Sequence, residues 1–138
     1  MKAKVLLRIA SVIMLLHTLG HTIGAMTWKD APNADVKQVI DGMLGNHFDF
    51  MGRSASIGDF YAGYGYSMIG VLLLVSILLW LLSAEPNRRL ILALGLFLLF
   101  LAIVEFIYFF PLPAVLSLLA GVATLIAYGR SKSIIKMK

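Results

Sequence analysis

The chain has 138 residues, of which 60% are hydrophobic and only 14% charged, against roughly 45–50% and about 25% in a soluble domain. Apolarity in such long blocks means a membrane, and no separate soluble catalytic domain is expected within these residues. There is no cysteine, which excludes disulfides, thiolate metal sites and iron–sulfur clusters.

The chain reads as a single integral membrane domain, 1–138. After the basic start (Lys2, Lys4), an apolar run covers about 5–26. About 20 mostly apolar residues suffice to cross the ~30 Å of hydrocarbon, so this is a first span. A basic start before an apolar core is also the layout of a secretory signal. Against that, the run continues through His17 and His21, and no clear Ala-x-Ala cleavage site follows.

Within this span lies His17-Thr18-Leu19-Gly20-His21-Thr22-Ile23-Gly24. Histidines four apart share one helix face. Gly20 and Gly24 on the same stripe would let a neighbouring helix approach. Ionisable groups at membrane depth are costly and mark a site by default.

The loop of residues 27–59 is the one long polar stretch. Asp35, after the Ala31-Pro32-Asn33 turn, is placed to cap a helix. Val36, Val39, Ile40, Met43, Leu44, His47, Phe48 and Met51 then follow helical spacing. An amphipathic helix is expected there, lying on the membrane surface or over the spans, although Gly42 and Gly45 weaken it. Residues 52–58 read as a loop.

The second span covers about 60–82 and opens on Asp59-Phe60-Tyr61-Ala62-Gly63-Tyr64-Gly65-Tyr66. A polar turn at 83–89 precedes the third span, about 90–110, which carries Glu105. Pro111-Leu112-Pro113 ends it, because proline lacks the amide donor. The fourth span covers about 112–129, and a basic tail follows from Arg130. The fold class is therefore all-α: four transmembrane helices in a bundle, with an extra amphipathic helix between spans 1 and 2.

Charge sets the expected topology. Of the 12 Lys and Arg, only Lys29, Lys37 and Arg53 fall on the side of the 27–59 loop. Basic residues concentrate on cytoplasmic flanks, so both termini are expected in the cytoplasm and the 27–59 loop outside. The basic tail then reads as a topology signal and a contact for anionic lipid, not as a nucleic-acid surface. Trp28 and Tyr108 outside, with Trp80 and Tyr128 inside, are placed like interfacial anchors.

On that topology His17, His21, Asp59, Tyr61, Tyr64 and Glu105 all fall in the outer half. Glu105 should face other helices, since facing lipid would cost several kcal/mol. A hydrogen-bonded His–Glu or Tyr–Glu cluster between spans 1, 2 and 3 is expected. Binding of an amphipathic or lipid-like small molecule is the leading reading, with His17, His21, Glu105 and Asp59 as polar contacts below Tyr61 and Tyr64. Proton-transfer chemistry at the same groups is the enzyme alternative. A metal held by His17, His21 and Glu105 is another; the zinc-protease pattern is absent, because Thr18 stands where that motif needs Glu. A structural or accessory bundle is the third reading, a homo-oligomer joined through the small-residue faces Gly63/Ser67/Gly70 or Ser117/Gly121/Thr124. No cofactor is specified.

The block from Arg8-Ile9-Ala10-Ser11 to His17-Thr18-Leu19-Gly20-His21-Thr22-Ile23-Gly24, with Asp59-Phe60-Tyr61-Ala62-Gly63-Tyr64-Gly65 later, resembles a group of small bacterial four-helix membrane proteins without an assigned activity. The likeness covers nearly the whole chain in layout and implies the bacterial cytoplasmic (inner) membrane. More loosely, the layout is similar to DoxX-like proteins and to the sterol-isomerase and sigma-2-receptor superfamily. The latter has intramembrane acidic residues and histidine around a ligand cavity, echoed here only by Glu105, His17 and His21.

Overall fold

The computed structural model describes residues 2–131; the expected basic tail beyond Ser131 lies outside them. The elements are α1 (Ala3–Thr27), α2 (Ala34–Gly45), β1 (His47–Phe50), β2 (Arg53–Ser56), α3 (Ile57–Ala84), α4 (Arg88–Tyr108) and α5 (Pro111–Arg130). Four of them, α1, α3, α4 and α5, are long and apolar enough to cross a membrane. This is the architecture of a multi-pass membrane protein. The shortest of the four, α5, rises by about one hydrocarbon thickness. The longest, α3, rises well beyond it, so its ends outrun the hydrocarbon or the helix tilts.

Local chemistry sets the helix ends. Asn87 starts α4, its side chain accepting from the amides of Arg89 and Leu90. Pro111 opens α5, where its missing amide hydrogen costs nothing. Ser56 and Asp59 start α3 as a capping box. The Asp59 amide donates to Ser56 Oγ at 3.1 Å, and the Ser56 amide donates to Asp59 Oδ2 at 2.9 Å. The helix therefore begins at Ile57, earlier than the apolar run suggested.

The chain packs as two units. The first holds the described residues of Met1–Thr18 and Leu72–Lys138, that is, the first part of α1, the latter part of α3, and α4 and α5. Leu7, Met14, Leu72, Leu79, Ile91 and Leu98 are fully buried there. In lipid there is no hydrophobic drive between helices, so close packing and hydrogen bonds hold them. Glycine makes the α4–α5 approach possible. A Cβ on Gly95 would meet Leu125 Cδ2 at 2.6 Å, and one on Gly121 would meet the Leu99 amide nitrogen at 3.2 Å. Ser11 and Ser76 stitch α1 to α3 reciprocally, each hydroxyl donating to the other's carbonyl at 2.7 and 2.9 Å. At one end of this unit Arg8 lies over Trp80 at 4.9 Å and Arg88 over Tyr128 at 4.5 Å. Arg88 also donates to the Ser131 carbonyl.

The second unit is Leu19–Val71. Here the expected layout needs correction. The helix anticipated from Val36 to Met51 stops at Gly45, and residues 47–56, expected as helix and then loop, form an antiparallel hairpin. Asn33, not Asp35, caps α2, accepting from the Val36 amide at 2.9 Å. Only Ile40 of α2 is buried. The hairpin wins for two reasons. Met51 and Gly52 take positive φ, 54° and 82°, which suits the two-residue turn favoured by twisted strands. Asp49 Oδ1 secures that turn by accepting from the Gly52 amide at 3.0 Å. Phe48 and Phe50, two apart on one strand face, then pack on Phe60 at 6.0 Å (stacked) and 5.5 Å (edge-on).

A second correction concerns Gly20 and Gly24. A Cβ on either would meet nothing within 4 Å. The glycine against α1 is Gly65, where a Cβ would touch Ala25 Cβ at 3.4 Å.

Candidate functional site

The first unit contains a buried polar cluster. Leu98, Leu101, Ala102 and Glu105 form one buried stripe of α4, at the i, i+3, i+4, i+7 spacing that keeps a helix face together. That stripe turns the carboxyl inward. On α5 the buried stripe is Ala114, Ser117, Ala120, Gly121 and Thr124, all small, which leaves room for a polar group. His17 of α1 enters this space. Its Nε2 lies 3.3 Å from Glu105 Oε1 and its Nδ1 lies 3.3 Å from Ser117 Oγ. His17 is 4% and Glu105 6% exposed, and Ser117 is fully buried. Among the described residues, Glu105 Oε2 is buried without a hydrogen-bond partner. Chemically, the imidazole bridges a carboxyl and a hydroxyl, and the carboxyl keeps one acceptor in reserve.

The remaining candidates lie in the second unit. His21 Nε2 lies 3.0 Å from the Gly65 carbonyl. A carbonyl only accepts, so that nitrogen carries the hydrogen and donates. Tyr61 packs on Trp28 at 4.9 Å, with Lys29 Nζ 5.5 Å over the Trp28 ring. Among the described residues, no group of three or more His, Asp or Glu side chains comes together to hold a metal ion. The His17–His21–Glu105 metal set is therefore not assembled, because His17 turns to Glu105 and Ser117 while His21 turns to main chain.

Asp59 and Tyr64 line an open groove instead. It has a volume of about 400 Å³ and is bounded by Phe50, Arg53, Ala55, Asp59, Phe60, Gly63, Tyr64 and Ser67. That is within the range of small-molecule sites, roughly 300–1,000 Å³. Phe50, Arg53 and Ala55 of the hairpin and Asp59, Phe60, Gly63, Tyr64 and Ser67 of α3 line it, so hairpin and helix start build it together.

Comparison with protein-family models, curated proteins and solved structures gives no match.

Three groove and cluster residues, Ser117, Arg53 and Phe60, do not stand out as site residues in the sequence. Ser117 carries no signal beyond its small-residue stripe. Arg53 and Phe60 join the groove only once the hairpin forms. The signal available for that was Ser56-Ile57-Gly58-Asp59, the S-x-x-D box before an apolar run, together with the two-residue period of Phe48 and Phe50.

Proposed function

We propose that this is a membrane binding protein for an amphipathic, lipid-like molecule, received in the groove beside the hairpin and the start of α3. The observation that carries this reading is the groove's composition. It combines aromatic walls with one cation and one anion, Arg53 and Asp59, at the end of a membrane-spanning helix. An amphipathic molecule needs that pairing of apolar wall and polar rim. The bias of Lys and Arg toward the termini and the α3–α4 turn supports cytoplasmic termini with the groove on the opposite side. α2, whose Lys37 and Asp41 pair at 2.7 Å in solvent, then serves as an amphipathic helix at that membrane surface. The likeness in layout to small bacterial four-helix membrane proteins supports the inner membrane as the location.

A second reading is favoured by the partnerless Glu105 Oε2. A carboxyl hydrogen-bonded to an imidazole is the equipment of acid–base chemistry, and the His17–Glu105–Ser117 cluster would supply it. Without a substrate it still ties α1, α4 and α5 together.

Native mass spectrometry of detergent-purified protein separates these readings. The groove reading expects a retained lipid-like molecule that is lost in Phe60→Ala/Tyr64→Ala at unchanged helical content. It also expects His17→Ala and Glu105→Gln to keep the molecule while lowering thermal stability. Equal retention by the groove variant and the parent sinks it, and loss in Glu105→Gln alone favours the buried cluster.

A further inference from the structure

We infer that the groove takes the zwitterionic headgroup of a membrane phospholipid, its phosphate at Arg53 and its ammonium at Asp59; this rests on the binding reading above and names its ligand class. The two charges carry the inference. Arg53 opens β2 directly after the turn, paired with Phe50, and lines the groove with Asp59. Among the described residues Arg53 and Asp59 form no direct ion pair. The Ser56 hydrogen bonds, and after them the positive fields of His47 and Arg53, hold the Asp59 carboxyl below its usual range, so it stays anionic. Guanidinium offers a planar fork of donors that matches phosphate oxygens.

Asp59 is half used. Its Oδ2 accepts from the Ser56 amide and the Ser56 hydroxyl at 2.9 and 3.0 Å. Its Oδ1 takes no hydrogen bond among the described residues. The capping box therefore fixes the carboxylate while leaving one oxygen for a cation. Preorganised support of this kind is what a binding group needs. Phe60 and Tyr64 stand in the same groove, and aromatic faces attract ammonium groups. Phe60 itself packs against both Phe48 and Phe50.

Opposite charges in one groove discriminate among headgroups. A purely anionic headgroup would satisfy Arg53 but face Asp59. A cationic amphiphile would do the reverse, and an uncharged one would leave both charges unmatched. Only a molecule with both charges complements both walls. The groove also has an exit for acyl chains. Gly63 and Ser67 line it one and two turns along α3, a Cβ on Gly63 would meet nothing within 4 Å, and α3 continues as a membrane-spanning helix. This continuity assigns a bilayer phospholipid rather than a soluble phosphoamine.

The test is lipid binding to the full chain in detergent, followed by native mass spectrometry. The probes are phosphatidylethanolamine, phosphatidylcholine, phosphatidylglycerol, diacylglycerol and soluble phosphoethanolamine. The zwitterionic lipids should bind about tenfold more tightly than phosphatidylglycerol or diacylglycerol, the scale of one charge-assisted contact. Arg53→Gln, which leaves the capping box intact, should weaken every phosphate-bearing probe and narrow the preference over diacylglycerol, while the preference over phosphatidylglycerol, set by Asp59, persists. Asp59→Asn, which keeps an amide oxygen for the cap, should weaken phosphatidylethanolamine while strengthening phosphatidylglycerol, a reversal that a purely structural role would not produce. Equal binding of phosphatidylglycerol or diacylglycerol by the parent overturns the headgroup assignment and leaves the groove reading standing. Soluble phosphoethanolamine binding as tightly as the lipid overturns the bilayer source. No binding of any probe, with no molecule retained from the cell, removes the groove reading as well.

Discussion

His17 Nε2 and Glu105 Oε1 lie 3.3 Å apart, both side chains sealed from the surface. This contact joins two helices separated by most of the chain. Its membrane setting limits its energetic weight: interhelical polar contacts average about 0.6 kcal/mol and reach about 1.7. Breaking one partner is a different matter, since it leaves the other polar group buried alone. His17→Ala should therefore destabilise by about 1–2 kcal/mol. The double change His17→Leu/Glu105→Met should recover most of that loss. Thermal unfolding in detergent checks this, and strictly additive losses would show that the pair is not coupled.

Ser11 and Ser76 exchange hydroxyl-to-carbonyl bonds between α1 and α3. A double-mutant cycle with Ser11→Ala and Ser76→Ala should show a coupling of about 0.6 kcal/mol. A coupling near zero would mean that packing alone holds this crossing.

The glycines divide by what surrounds them. At Gly20 a Cβ meets nothing within 4 Å, whereas at Gly95 it meets Leu125 at 2.6 Å and at Gly121 the Leu99 main chain at 3.2 Å. Gly20→Ala should be neutral or stabilising by up to about 1 kcal/mol, through helix propensity. Gly121→Ala should destabilise by about 1–3 kcal/mol, because main chain cannot yield as a flexible side chain can. Gly95→Ala should cost at least as much as Gly121→Ala, since Leu125 Cγ at 2.8 Å would have to move as well as Cδ2. Thermal unfolding of the three variants gives the order, and the same sign at Gly20 and Gly121 would contradict the packing described.

The capping box makes a local prediction. Ser56→Ala removes an N-cap hydroxyl that accepts from the Asp59 amide. It should cost about 0.5–2 kcal/mol, seen as faster amide hydrogen exchange over the first turn of α3 with little change in α4 or α5. Uniform acceleration throughout the chain would rule out a local effect.

At the hairpin tip, Met51 holds φ 54° and is 94% exposed. Its side chain loses no packing when replaced, while a left-handed residue of this kind costs roughly 1–2 kcal/mol unless it is Gly, Asn or Asp. Met51→Asn should therefore stabilise the hairpin by up to about 1 kcal/mol, and Gly52→Ala should destabilise it. Backbone chemical shifts of residues 47–56 report both.

How far the chain could be read in advance varied with the range of the interactions. The inward turn of Glu105 follows from its cost in lipid and from its place on a stripe with Leu98 and Leu101. Which histidine it meets does not follow: His17 and His21 share a helix face, and only packing sends one to the carboxyl and the other to the Gly65 carbonyl. Ser117 had no chemical signature of its own. The stretch from His47 to Met51 fits both periods, helical through Phe48 and Met51, extended through Phe48 and Phe50. The extended period wins in the fold because Phe60, at the start of α3, accepts the strand's aromatic face, a partner that residues 47–51 do not themselves contain.

The sequence by itself determined four spans, their order and the asymmetry of the charges around them, because solvation by lipid acts on each segment separately and scales with its own length and polarity. The tertiary structure alone decided that His17 pairs with Glu105 and Ser117, that Gly65, Gly95 and Gly121 mark close approaches between the long apolar helices, and that Arg53 and Asp59 face one groove. Those outcomes depend on which side chains fit together, and contacts between residues up to 100 positions apart are set by shape and hydrogen-bond geometry that no single segment contains.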